Sequence, residues 1–157
     1  GSVVFAPTEL LSPGLKRLLD VRRLVGLRNP AHSLVKLMNP CLSKALVVSS
    51  YTHPEYAVSM AQTLALMQAN ALLLRGTEGE VVADARRMPP MDGYVHGQRM
   101  ELQQAQAGTL ASLPNLPKAI DAASTAAYIA SILSGAEPVP APIARQVEHL
   151  LQLTSQL

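Results

Sequence analysis

Two apolar runs, Lys44 to Tyr51 and Ala71 to Arg75, flank a segment of helical periodicity and confine this chain to an α/β architecture. Thr52-His53-Pro54-Glu55 ends the first run. Pro54 suits the first turn of a helix, where its missing N–H is no loss, so Thr52 or His53 stands as the cap. The predicted helix continues to about Gln68 and carries Tyr56, Met60, Leu64 and Met67 on one stripe. A strand, a helix and a second strand in this order predict a right-handed parallel unit. Gly76-Thr77-Glu78-Gly79 then falls at the carboxyl end of a strand, where open parallel sheets place ligands, although a plain turn explains it equally simply.

The flanking segments extend the same pattern. Ser12-Pro13 reads as a capped helix start with Leu15, Leu18 and Leu19 at helical spacing. Asn29-Pro30 and Asn39-Pro40 bracket a short helix. Beyond a loop at Arg86-Arg87-Met88-Pro89-Pro90, Asp92 to His96 and Arg99 to Gln104 read as short strands joined near Gly97 in an antiparallel pair. Leu113-Pro114-Asn115-Leu116-Pro117 is a further break. Residues 118–133 form an Ala-rich helix suited to close packing and ended by Ser134-Gly135. The Pro138–Pro142 run is a stiff connector, and Ile143 to Leu153 forms the last helix with Val147, Leu150 and Leu151 inward. With no internal repeat or linker, residues 1–157 read as one layered α/β domain, and Gly1-Ser2 as a cloning remnant.

Composition narrows the class further. At 157 residues and 48% hydrophobic content the chain can bury one core. No apolar stretch approaches the ~20 residues that span a bilayer, and Val3-Val4-Phe5-Ala6 is too short for a signal core. The single Cys41 excludes an internal disulfide and fits a reducing cytoplasm; it reads as buried or incidental. Net charge is only +2, yet residues 1–44 hold Lys16, Arg17, Arg22, Arg23, Arg28, Lys36 and Lys44 against Glu9 and Asp20. That asymmetry suits a phosphate-rich partner, though a solvated basic face accounts for it equally well. Few aromatic residues are present for base stacking, so such binding would be backbone electrostatics, blind to sequence.

Catalytic constellations are sparse. The four histidines are scattered, without paired metal-site spacing, and His53 reads as a helix-entry residue. Ser49-Ser50 at a strand end has no local activating group. Glu78, Glu80 and Asp84 cluster after a strand and could hold Mg²⁺, with a solvated acidic turn as the simpler account.

Arg22, Arg23, Gly26, Arg28, Asn39 and Pro40, preceded by Val3-Val4-Phe5-Ala6-Pro7, carry a resemblance to glycosyltransferase family 3, the anthranilate phosphoribosyltransferases and their relatives. This resemblance implies the C-terminal part of a nucleoside phosphorylase/phosphoribosyltransferase catalytic α/β domain, a mostly parallel sheet flanked by helices. The Phe-Ala-Pro segment would be a strand. A helical domain and a Gly-rich phosphate loop would lie upstream in a larger protein.

Departures from the family are as telling. The acceptor-site equivalents are Ser12, Arg22 and Lys36, of which only Arg22 keeps the family residue; the family Gly-Pro is Val35-Lys36. The Mg²⁺ motif reads Gly76-Thr77-Glu78-Gly79-Glu80-Val81-Val82, and two valines cannot coordinate a hard cation. The resemblance thus implies a cytoplasmic homodimer without anthranilate phosphoribosyltransferase activity, like a paralogous subgroup that binds nucleic acid non-specifically. Lys16, Arg17, Arg22, Arg23, Arg28 and Lys36 are the phosphate-contact candidates. No cofactor is expected in this chain and it alone would be inactive. The alternative is a transferase using phosphoribosyl pyrophosphate and Mg²⁺, with Arg22 orienting an unidentified acceptor and Glu80 or Asp84 holding the metal. Exposed apolar sheet surface predicts homodimerisation or higher self-association.

Overall fold

Chain reversal at Asn29-Pro30 separates a helical N-terminal arm from the sheet in the computed structural model, which describes residues 3–110 and 114–157. The arm consists of α1 (Thr8–Leu11) and α2 (Pro13–Val25). As expected, Ser12 caps α2 by accepting from the Leu15 N–H, and Pro13 occupies its first turn. Gly26, with φ 76°, ends it. The short bracketed helix is α3 (Ala31–Leu34), continued by a 3-10 turn over Val35–Leu37. Gly1-Ser2 and Leu113, the first residue of the predicted break, lie outside the described residues.

The sheet combines β1 (Val47–Tyr51), β2 (Ala71–Arg75), β3 (Met91–Val95) and β4 (Gln98–Gln103) in the order β1-β2-β3-β4. β1 and β2 are parallel, with Val47 opposite Ala71 and Tyr51 opposite Arg75, and α4 (Pro54–Leu66) crosses between them. β2 with β3 and β3 with β4 are antiparallel. The α/β class therefore stands, while the mostly parallel sheet becomes a mixed one. The reason is connection length and content: residues 76–90 carry no crossover helix, and the two-residue turn His96-Gly97 can join only antiparallel strands.

Alternation along the strands fills both faces. Leu37, Met60, Leu64, Ala71, Leu73 and Tyr94 form the core on the α4 side. Leu72, Leu74, Ala83, Met91 and Leu153 form the other, beneath α6 (Ala141–Thr154). On the α4 stripe Met60 and Leu64 are buried, whereas Tyr56 and Met67 are exposed.

Three local expectations are corrected. Residues 3–7 form no strand; no ladder partner meets them, and Val3 and Phe5 are solvent-exposed. The last helix starts at Ala141 and is rotated, burying Pro142, Gln146, His149 and Leu153 while Val147 and Leu151 face outward. Leu150 does pack inward. The rotation follows from Gln146, whose side chain accepts from the Ala83 N–H at 2.7 Å and donates to the Val81 carbonyl at 2.7 Å. A buried amide satisfied at both ends outweighs the gain from turning Val147 inward. The Ala-rich helix α5 begins at Ala122, because Asp121 caps it through the Ser124 N–H, and it buries none of its residues. Its alanines offer too little apolar side chain to draw it onto the sheet. Cys41 is exposed, which leaves the incidental one of its two readings.

Candidate functional site

Lys36 is the residue on which the site is organised. Leu37, buried in the core, anchors the 3-10 turn, and this directs the preceding lysine toward the carboxyl end of β1. Its Nζ donates to the Ser50 carbonyl at 3.1 Å, the Ser50 Oγ at 3.3 Å and the Gly79 carbonyl at 3.2 Å. Ser50 in turn donates from Oγ to the same Gly79 carbonyl at 2.9 Å. Lys36 thereby clamps the 3-10 turn, the end of β1 and the Gly76–Gly79 loop together. Burial lowers its pKa, the positive charge of Arg28 lowers it further, and Glu80 opposes both. Because the ammonium serves two carbonyl acceptors, it acts as a structural cation and not as a base for Ser50.

The loop after β2 is closed on itself. Glu80 accepts from the Thr77 N–H at 2.7 Å, the Thr77 hydroxyl at 2.9 Å and the Glu78 N–H at 2.8 Å. Burial pushes its carboxyl up, but these donors and its own N–H outweigh burial and lower it to about 2. Asp84 is held in a two-pronged pair with Arg86, at 2.9 and 3.0 Å. Among the described residues, Glu78, Glu80 and Asp84 do not converge into a metal-binding group. With Glu80 and Asp84 committed and Val81-Val82 following, the donor set does not fit Mg²⁺.

A depressed carboxyl contributes stability that is complete above its ordinary value of 4.5 and lost as pH falls through about 2. Solvent reaches this loop, so we expect a contribution of about 1–2 kcal/mol after screening. Glu80→Gln should remove this acid-side loss. Urea unfolding of both forms across that window checks it, and parallel curves would reject the role given to Glu80.

A cleft of about 550 Å³ opens beside the clamp, between α3 with its 3-10 turn and α4. Arg28, His32, Lys36, Tyr51, His53 and Tyr56 line it together with several hydroxyls, and its lining contains no carboxylate. His53, just before α4, lines it without a side-chain capping bond; Pro54 brings no N–H, and the Tyr56 N–H donates to the His53 carbonyl at 3.0 Å. His53 and Tyr56 bring their rings within 6.1 Å at a tilt of 54°. Sequence reasoning missed His32, Tyr51, His53 and Tyr56 as a group. The spacing of His53 and Tyr56 by three, directly after a strand, was the available signal.

Other candidates are dispersed. Arg17, Arg22 and Arg23 are exposed on α2. Lys16 pairs with Asp20, which Arg23 approaches at 3.8 Å. Among the described residues no carboxylate pairs with Arg17, Arg22 or Arg28. Ser12 spends its hydroxyl capping α2, and neither it nor Arg22 lines the cleft, so the three acceptor-site equivalents are not assembled. Among the described residues no helix is long and apolar enough to cross a membrane.

No family model matches the chain. It is 36% identical over 154 residues to the uncharacterized protein YbiB of Escherichia coli (strain K12), an alignment covering 98% of this chain and 48% of that protein. The chain thus resembles YbiB along nearly its whole length while spanning about half the length of that relative.

Proposed function

We propose that this chain is part of a nucleic-acid-binding protein that uses a glycosyltransferase family 3 scaffold without anthranilate phosphoribosyltransferase activity. The observation that carries this reading is the set of exposed cations on α2, where Arg17, Arg22 and Arg23 stand around a helix that buries none of its residues, with exposed Arg28 following it. Guanidinium groups in solvent gain affinity for a polyanion by releasing its counterions, and they read phosphates rather than bases. Lys36 is removed from the contact set, because its ammonium is spent on Ser50 and Gly79. Lys16 contributes less than the arginines because Asp20 neutralises it. The transferase alternative is disfavoured by the same loop: Mg²⁺ would have to displace the N–H donors that hold Glu80.

Fluorescence anisotropy with two unrelated duplexes tests the reading. With about four phosphates neutralised, affinity should fall roughly a hundredfold between about 50 and about 200 mM salt. The two duplexes should differ by less than about threefold. Absence of binding at the lower salt, or a strong preference for one duplex, would eliminate the proposal. Self-association belongs to the same reading. Neither α2 nor α5 buries a residue, and Leu24 and Leu133 are more than four-fifths exposed, at 89% and 82%. Sedimentation of the same sample should show species larger than the 16.7 kDa monomer; a monomer at all concentrations would remove this part.

A further inference from the structure

β4 forms one edge of the sheet, and its sequence, Gln98-Arg99-Met100-Glu101-Leu102-Gln103, holds no proline or lysine to discourage a further strand. The hydrogen-bond parity of the sheet fixes which of its groups are free. Arg75 donates its N–H to the Pro90 carbonyl at 3.3 Å, so in the β2–β3 register Asp92 and Tyr94 also turn their peptide groups toward β2. Gly93 and Val95 therefore serve β4 through Met100 and Gln98, and Arg99 and Glu101 turn their N–H and C=O outward. Among the described residues no backbone group outside the sheet bonds to them. The bulge in the β3–β4 ladder falls at Leu102, just past this segment.

The free edge is complementary to itself. With a second copy laid antiparallel and the two Met100 residues opposite each other, Arg99 of each strand faces Glu101 of the other. Outward peptide groups then meet outward ones, which allows about four main-chain hydrogen bonds. Centring the pair on Arg99 or on Glu101 would set like charges opposite, and a one-residue slip would set outward groups against inward ones. Both charged side chains keep capacity for this contact. Arg99, with a side chain 60% exposed, gives only Nη2 to Asp92, at 3.1 Å, and Glu101 accepts from Gln104 on Oε1 alone, at 2.8 Å. Met100 and Leu102 pack half-buried against the α6-side core, which a second copy would continue across the axis.

We propose that β4 is an interaction surface for a second copy of this chain, joined antiparallel about Met100 so that one sheet runs through both. The contact is independent of duplex binding and of the exposed apolar residues of α2 and α5, which lie on other elements.

Disulfide trapping in a Cys41→Ser background reads the register directly. Residues opposite each other at the axis lie about 4.5–5.5 Å apart between Cα atoms, within disulfide reach, whereas the two Gln98 positions lie well beyond its ~7 Å limit. Under mild oxidation Met100→Cys should therefore yield at least about tenfold more cross-linked dimer than Gln98→Cys. Adding either Glu101→Arg or Arg99→Glu to Met100→Cys should cut that yield about tenfold, because like charges then face each other. Mixed together, these two charge-reversed chains should cross-link to one another again, as mass spectrometry of the dimer would show. Circular dichroism establishes that each variant is folded. Equal yields from Met100→Cys and Gln98→Cys, indifference to both charge reversals, or no recovery on mixing would overturn the proposal. Larger species in sedimentation without the Met100→Cys cross-link would assign self-association to α2 and α5 and overturn the edge contact alone.

Discussion

Gly97→Ala should lower the unfolding free energy by about 3 kcal/mol, a large share of the ~5–15 kcal/mol that holds a domain of this size. Gly97 is the second residue of the turn joining β3 and β4, with φ 78°, and His96 before it has φ 49°. An L side chain pays about 1 kcal/mol to adopt such a conformation. Here a further term acts. A Cβ at Gly97 would lie 2.7 Å from the Ala65 carbonyl oxygen and 3.0 Å from the Gln68 Cα. Both are backbone atoms at the end of α4, and the turn cannot retreat from them. The Gly97 N–H donates to the Ala69 carbonyl at 2.9 Å, and the His96 N–H donates to Asn70 Oδ1 at 2.8 Å. Gly135→Ala supplies the comparison: φ is 79°, but nothing lies within 4 Å of its Cβ, so about 1 kcal/mol is expected. Urea unfolding of both variants separates strain from contact. Equal losses would show that the packing of the hairpin against α4 contributes nothing.

That turn was legible in the sequence because local chemistry dictates it. So were the β1–α4–β2 unit, the Ser12 cap and the bracketed helix at Ala31, each set by a proline or a cap within a few residues. The parts that escaped depend on distant partners. The rotation of α6 is decided by Gln146 bonding to Val81 and Ala83, more than sixty residues away in sequence, where periodicity alone favours Val147 and Leu151. The antiparallel pairing of β2 with β3 depends on a connection without a helix, a weaker sign than the apolar run before it. Residues 3–7 looked like a strand only through a resemblance; their own surroundings provide no ladder.

The candidate site divides in the same way. The Gly76–Glu80 loop and the cations of α2 could be named from sequence, but their roles could not. Lys36 counted as a phosphate contact by charge, and Glu80 as a metal ligand by type. Each is satisfied internally, one by carbonyls and the other by N–H groups of the loop it closes. A residue type announces what it can bind; whether that capacity is already used depends on contacts such as Lys36 to Gly79, forty-three positions apart.

Arg17→Gln/Arg22→Gln/Arg23→Gln should weaken duplex binding by about a hundredfold at low salt and flatten its salt dependence by close to three units in slope. Each arginine is exposed, with the Arg23 side chain at 81%, so neutralising them removes no core packing and the variant should keep its circular dichroism spectrum. Glutamine is preferable to glutamate. Arg22 and Arg23 sit in the last turn of α2, where a negative charge would oppose the helix dipole and confound binding with local unfolding. Arg145→Gln is the control outside α2. It removes one exposed cation from α6, where Arg145 pairs with Glu148 at 2.7 Å, and should leave affinity unchanged within about twofold. The slope is the deciding quantity, because a general loss of net charge weakens each variant in proportion to the charges removed, whereas loss of phosphate contacts changes the number of released counterions in the triple variant only. A triple variant with weaker binding but an unchanged slope would place the contacts elsewhere on the surface.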